Sequence, residues 1–140
     1  MADLPMTYST SYRWQSHAAD GVLSIAERDD LPVGGPHDTG RYCPEHLLLA
    51  AAETCLANYV KLIAERSKLE ILDYRSSAEG ELEFVPKQGY RFKRILIRPV
   101  LKVSAGSETS AARVVEKSHR ACLIARSLNC AVDIDPRIQG

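Results

Sequence analysis

Four cysteines, at positions 43, 55, 122 and 130, are the residues of this 140-residue chain best suited to chemistry. A thiolate can act as nucleophile, metal ligand or electron donor. Two of the four bracket the stretch "CPEHLLLAAAETC", residues 43 to 55. Pro44 suits the first helical position, where its missing N–H is no loss, and the leucines and alanines behind it favour helix. A helix over that span, rising about 1.5 Å per residue, holds the two Cα atoms roughly 18 Å apart. A disulfide needs them within about 7 Å, and ligands to one zinc ion must converge at about 2.3 Å. Cys43 and Cys55 are therefore independent thiols.

Each thiol has a reactive and a structural reading. Cys43, at the N-cap, lies beside the partial positive charge of a helix start, or is a small residue standing where Ser or Asn usually stands. Cys55 lies mid-helix among apolar residues, where core filling is the common fate. Cys122, in "HRACLIARSL", falls on the apolar face of a second helix, so the two helices can bring Cys55 and Cys122 together, 67 residues apart in sequence. Such a pair can cycle between dithiol and disulfide, which the periodicity permits without requiring. Cys130 opens the last strand and reads as filler. His119 precedes Cys122 by one helical turn, which admits a Cys–His nucleophile or a zinc site. The chain has no CxxC, HExxH or paired HxxxH, so no metal or cofactor is expected.

The elements that position these thiols follow from pattern. The span from Thr7 to Trp14 and the alternating "GVLSIAE" from Gly21 predict a hairpin, and "DDLPVGGPHDTGRY", residues 29 to 42, predicts a loop. A helix is expected from Pro44 to about Lys68, apolar over far more than one face and hence buried on most sides. "ELEFV" and "FKRILIRPVLKV", joined by "PKQG", predict a second, long hairpin over 70 to 85 and 90 to 103. Pro99 would then belong at an edge or bulge. A second, amphipathic helix follows Ser107, a possible N-cap, and "CAVDID" predicts a final strand. The expected fold is α+β, a two-layer β-β-α-β-β-α-β arrangement in a single domain over residues 1 to 140. One antiparallel sheet offers one face to one helix layer, so an all-round apolar helix points to a homodimer with this helix near its centre.

Composition narrows the partners. Lys plus Arg balance Asp plus Glu at 18 each, so no whole-chain field draws the protein to nucleic acid or to an anionic membrane. No signal segment opens the chain, and no continuous run of about 18 apolar residues predicts a bilayer span. The expectation is a soluble, cytoplasmic protein with free thiols.

The stretch "CPEHLLLAAAETC" resembles the helix signature of the OsmC/Ohr family, in which a Pro-Glu pair opens a long central helix and the reactive cysteine follows ten residues after the glutamate, as Cys55 follows Glu45. "ACLIARSL" is similar to the family's second-cysteine region, and "DGVLSI" and "GGP" to its early strand and loop, so the likeness covers nearly the whole chain. Leu123 departs from it, standing after Cys122 where the best-known peroxidase branches carry proline.

The resemblance implies an intertwined homodimer with active sites at the subunit interface and thiol-dependent reduction of peroxides. It implies that Cys55 is the peroxidatic thiol, Cys122 the resolving thiol, and Glu45 the acidic partner of an arginine. Arg13 in "SYRWQ" matches that arginine in one branch, and Arg41, before the helix, in another. Apolar walls from Leu56, Tyr59, Val60 and the Tyr-rich first strand favour organic hydroperoxides, with a small dithiol or protein thiol as reductant. Two other readings differ in class. One is a non-catalytic dimer that binds a small hydrophobic ligand. The other is acyl transfer through His119, which needs that ring within hydrogen-bond reach of a thiol.

Overall fold

The computed structural model describes residues 4–15 and 21–140. Its elements follow the expected order with additions: β1 (Ser11–Arg13), β2 (Val22–Ser24), β3 (Leu31–Pro32), α1 (Pro44–Arg66), β4 (Ile71–Val85), β5 (Gly89–Val103), α2 (Glu108–Ala121), α3 (Leu123–Ser127), β6 (Ala131–Ile134) and β7 (Arg137–Gln139). The chain forms two compact units, Met1–Leu48 and Leu49–Gly140.

In the N-terminal unit β1, β2 and β3 form a small antiparallel sheet in that order. The first hairpin is present but short, and residues 16 to 20 between its strands lie outside the described residues. The predicted loop from 29 to 42 is more ordered than its Pro and Gly content suggests. Leu31 and Pro32 pair with β2, and Val33 bridges to Tyr42.

The C-terminal unit is built on the long hairpin of β4 and β5, which pair antiparallel from Ile71↔Val103 to Val85↔Gly89. Lys87 and Gly89 take positive φ in its turn, and Gln88 N–H closes it on the Val85 carbonyl at 2.9 Å. The sheet is not purely antiparallel, as the single-sheet expectation had it. The helical crossover after β5 returns the chain in the same direction, so β6 and β7 pair with β5 in parallel.

That topology makes β5 central, against the edge position expected from Pro99, and the register shifts fall elsewhere, at Ile71/Asp73 and Glu81/Leu82. The Ile97 carbonyl accepts the Asp135 N–H at 2.9 Å, so Pro99, two residues on, turns its nitrogen to the same edge. There β6 pairs as far as Ile97↔Ile134 and β7 begins at Val100↔Arg137. The donor that proline lacks thus falls in the gap between two partner strands. Ile95, Ile97, Pro99, Leu101 and Val103 alternate onto the buried face of β5.

Helix α1 ends close to the predicted place. Lys68 at φ 55 occupies the left-handed position after the last turn, with Lys68 N–H on the Glu65 carbonyl (3.2 Å) and Leu69 N–H on the Ala64 carbonyl (2.9 Å), a Schellman cap. Within one chain α1 is not buried on most sides. A single stripe, Ala52, Leu56, Val60, Ile63 and Ala64, is fully covered, and Leu49, Cys55, Tyr59 and Leu62 are half-buried. Contrary to the expectation from sequence, α1 is also long and apolar enough to cross a bilayer by length and composition, with a mean hydropathy of 1.5 over 18 residues. Yet it makes specific contacts with β4: Glu53 accepts a hydrogen bond from Ser76, and Leu49 lies over Gly80.

The second helix is interrupted where a continuous one was expected. Its buried stripe of Ala111, Val114, Val115 and Ser118 continues one turn on to Cys122, where ψ swings to 110°. Cys122 N–H reaches back to the His119 carbonyl and the Cys122 carbonyl accepts Arg126 N–H, so this residue closes α2 and opens α3. Ser107 is the N-cap residue of α2, with its carbonyl accepting Ala111 N–H, but its side chain makes no capping bond.

Candidate redox site

Cys55 and Cys122 come together in the C-terminal unit. Cys55 is half-buried on α1, and Cys122, at 1% exposure, sits at the α2/α3 break. Burial pushes the Cys122 thiol up to about 11; Cys55 adds to the rise as hydrogen-bond partner and neighbouring charge, while the backbone N–H groups of Ala125 and Ile124 oppose it. At neutral pH Cys122 is therefore held as a thiol against the Cys55 sulfur. Both cysteines are free. The two thiols lie within hydrogen-bond reach of one another.

Beneath α1, two residues before Cys55, Glu53 holds the Ser76 hydroxyl. Burial and the Glu53 charge push the Tyr74 phenol up to about 12, and its hydroxyl is buried with no hydrogen-bond partner among the described residues. The polar cluster therefore keeps its tyrosine protonated. It anchors α1 on β4.

The remaining predicted residues belong to the N-terminal unit. Arg13 ends β1 opposite Val22, with an exposed side chain. Arg41 is fixed: its Nη1 donates to the carbonyls of Gly21 (2.7 Å) and Val33 (3.4 Å). Glu45 lies in the first turn of α1, and its Oε1 is buried without a hydrogen-bond partner among the described residues.

Cys43 is buried at 2% exposure, and its sulfur lies 3.3 Å from His46 Nδ1. From sequence Cys43 was expected either as a reactive thiol at the helix start or as a small capping residue, and this pair was overlooked, although the spacing of three on a helix is the signal for it. His119 was the histidine singled out instead. Its ring is half-buried and makes no hydrogen bond among the described residues, so the contact that acyl transfer needs is not formed. No group of three or more His, Cys, Asp or Glu side chains able to hold a metal occurs among the described residues.

A long helix opened by Pro-Glu, laid on a two-stranded arm and carrying one of two apposed cysteines, defines a known class. The family model described as "OsmC-like protein" matches residues 35–137, and the chain belongs to that family. Among its relatives is an uncharacterized protein of Bacillus subtilis, YmaD, 33% identical over 116 residues that cover 80% of this chain and 73% of YmaD.

Solved structures share the fold at lower identity. An OsmC-like protein of unknown function from Vibrio cholerae superposes with a TM-score of 0.82 at 18% identity, covering 94% of this chain and 99% of its own. An organic hydroperoxide resistance protein from Legionella pneumophila gives 0.76 at 17%, covering 99% and 100%. The organic hydroperoxide resistance protein OhrB of Bacillus subtilis gives 0.66 at 18%, covering 96% and 98%.

Proposed function

We propose that this protein is a thiol peroxidase that reduces organic hydroperoxides, with Cys55 as the peroxidatic thiol and Cys122 as the resolving thiol. The observation that carries the reading is the apposition of these two free cysteines across α1 and the α2/α3 break. Family membership and the hydroperoxide-resistance names of two structural relatives support the substrate class.

The Cys55 thiolate attacks the distal peroxide oxygen. The S–O bond forms as the O–O bond breaks, and the departing alkoxide takes a proton to leave as alcohol. The Cys122 thiolate then attacks the Cys55 sulfenic acid, closing the disulfide as the S–O bond breaks and hydroxide departs, taking a proton from solvent to leave as water. A small dithiol or protein thiol restores both thiols by exchange, becoming oxidised itself. An arginine suits the first step because it stays charged and its fork can hold a carboxylate and a peroxide oxygen together.

Arg13, whose side chain is exposed, fills that role in this proposal, with Glu45 as the carboxylate that orients it. The protein acts as a homodimer in which Glu45 and Arg13 serve Cys55 of the partner subunit. The half-covered flank of α1 and the unsatisfied Glu45 Oε1 support a second copy at that place.

The test is mass mapping of all four cysteines after one equivalent of cumene hydroperoxide. A Cys55–Cys122 disulfide with stoichiometric cumyl alcohol is the expected product. Cys55→Ser should consume no peroxide; if it turns over like the parent, the assignment fails.

A further inference from the structure

The N-terminal unit contains a cavity of about 410 Å³, walled by Tyr12, Trp14, Leu23, Pro44, Leu47 and Asp38. Its aromatic wall is set by strand geometry. Tyr12 pairs directly with Leu23 across the β1–β2 ladder, so the two side chains share a face, while Arg13 alternates to the other. Trp14, two residues after Tyr12, lines the cavity beside it.

Gly21 forms a flat seat beneath the tyrosine. A Cβ there would stand 2.7 Å from the Tyr12 hydroxyl oxygen and 3.0 Å from its Cε2, so the ring lies down on the glycine. More than half of each aromatic side chain is open, 56% of Tyr12 and 59% of Trp14.

The one acidic group in the wall is Asp38. Its Oδ2 accepts the Gly35 N–H at 2.8 Å, which fixes the carboxylate, and no cationic side chain pairs with it among the described residues. The nearby cation, Arg41, directs its Nη1 to the backbone carbonyls of Gly21 and Val33. An unpaired carboxylate lining the same cavity as two open aromatic rings complements a soft, weakly hydrated positive charge. The ring faces are negative, alkyl groups bury apolar surface on them, and the carboxylate supplies the countercharge.

We propose that this cavity binds a small organic cation of the alkylated ammonium class, its charge held by Asp38 and its alkyl groups lying on Tyr12 and Trp14. Its ligand class differs from a neutral hydroperoxide.

Trp14 is the only tryptophan, so its fluorescence reports the site directly. The full-length protein is titrated with choline and, separately, with 3,3-dimethylbutan-1-ol, which has the same shape without the charge, at constant ionic strength. Choline should change the emission saturably and bind at least about ten-fold tighter than the alcohol, as a difference of about 1.4 kcal/mol from one charge contact would give. Asp38→Asn keeps an acceptor for Gly35 N–H and should weaken choline about as much while leaving the alcohol unchanged. Tyr12→Leu should weaken choline more than the alcohol. Circular dichroism checks that both variants fold, and calorimetry confirms the affinities. Equal binding of the two probes, undiminished choline binding in Asp38→Asn, or no saturable response would overturn the proposal.

Discussion

Cys55 and Cys122, 67 residues apart in sequence, meet where the mid-section of α1 faces the break between α2 and α3, and burial there, with Cys55 adding to it, holds Cys122 protonated. Attack by Cys122 requires its thiolate, so the closing step should quicken with pH by nearly ten-fold per unit until pH nears its raised value of about 11. Loss of the Cys55 charge on oxidation lowers that limit only partly, because burial is the larger cause. Quenched-flow alkylation of pre-formed sulfenic acid at several pH values measures this. A flat profile would remove Cys122 from the resolving role.

The same shift couples to folding. A thiol at 9.0 when unfolded and about 11 when folded binds its proton more tightly in the native state, as does the Tyr74 phenol at 10.0 and about 12. This stabilisation is complete below the unfolded values and is lost as pH rises through the folded ones. Denaturant melts of the reduced protein should show stability falling from about pH 9 toward pH 12, with a shallower fall in Tyr74→Phe.

Arg13 and Arg41 should separate by phenotype. Arg13, exposed on β1, is expected to lose peroxidase turnover on change to Ala with little change in melting temperature. Arg41→Ala leaves the Val33 carbonyl without its side-chain donor and the Gly21 carbonyl with the Val33 N–H alone, and should cost about 0.5–1.5 kcal/mol of stability whatever its effect on turnover. Parallel melts and peroxide assays read both quantities.

Gly80 is the close-approach point between β4 and α1. A methyl there would lie 2.6 Å from Phe92 Cε1 and 2.8 Å from Leu49 Cδ1, so Gly80→Ala should destabilise by about 1–3 kcal/mol despite its better strand propensity. Urea melts test this, and a neutral result would mean that both neighbours yield.

Lys68 points the other way. It holds a left-handed conformation at the end of α1, which costs an L side chain about 1 kcal/mol that glycine avoids. Lys68→Gly should raise stability by about 0.5–1 kcal/mol in the same melts.

Much of the fold was legible because it rests on local rules. The run from Pro44 and the alternation around "PKQG" name α1 and the long hairpin, since helix caps, turn residues and period-two burial act within a few residues of chain. Pro99 defeated the same reasoning. Local rules exclude proline from a central strand, and only the offset between β6 and β7 leaves a place where its missing donor is not needed. The helix break at Cys122 was equally hidden: the buried stripe runs through Cys122 without interruption, and the chain turns away just after it, where Leu123 is exposed.

For the thiols, the sequence by itself determined that Cys43 and Cys55 cannot pair, because helical rise fixes their separation, and that Cys55 and Cys122 lie on apolar-rich helices. Tertiary structure decided the rest. It placed Cys122 against Cys55 and pushed its proton affinity up, since burial and the approach of a second sulfur are properties of packing that no spacing encodes. It also set Cys43 beside His46 and turned His119 away from hydrogen bonding, because a side chain's partners depend on which face its neighbours cover.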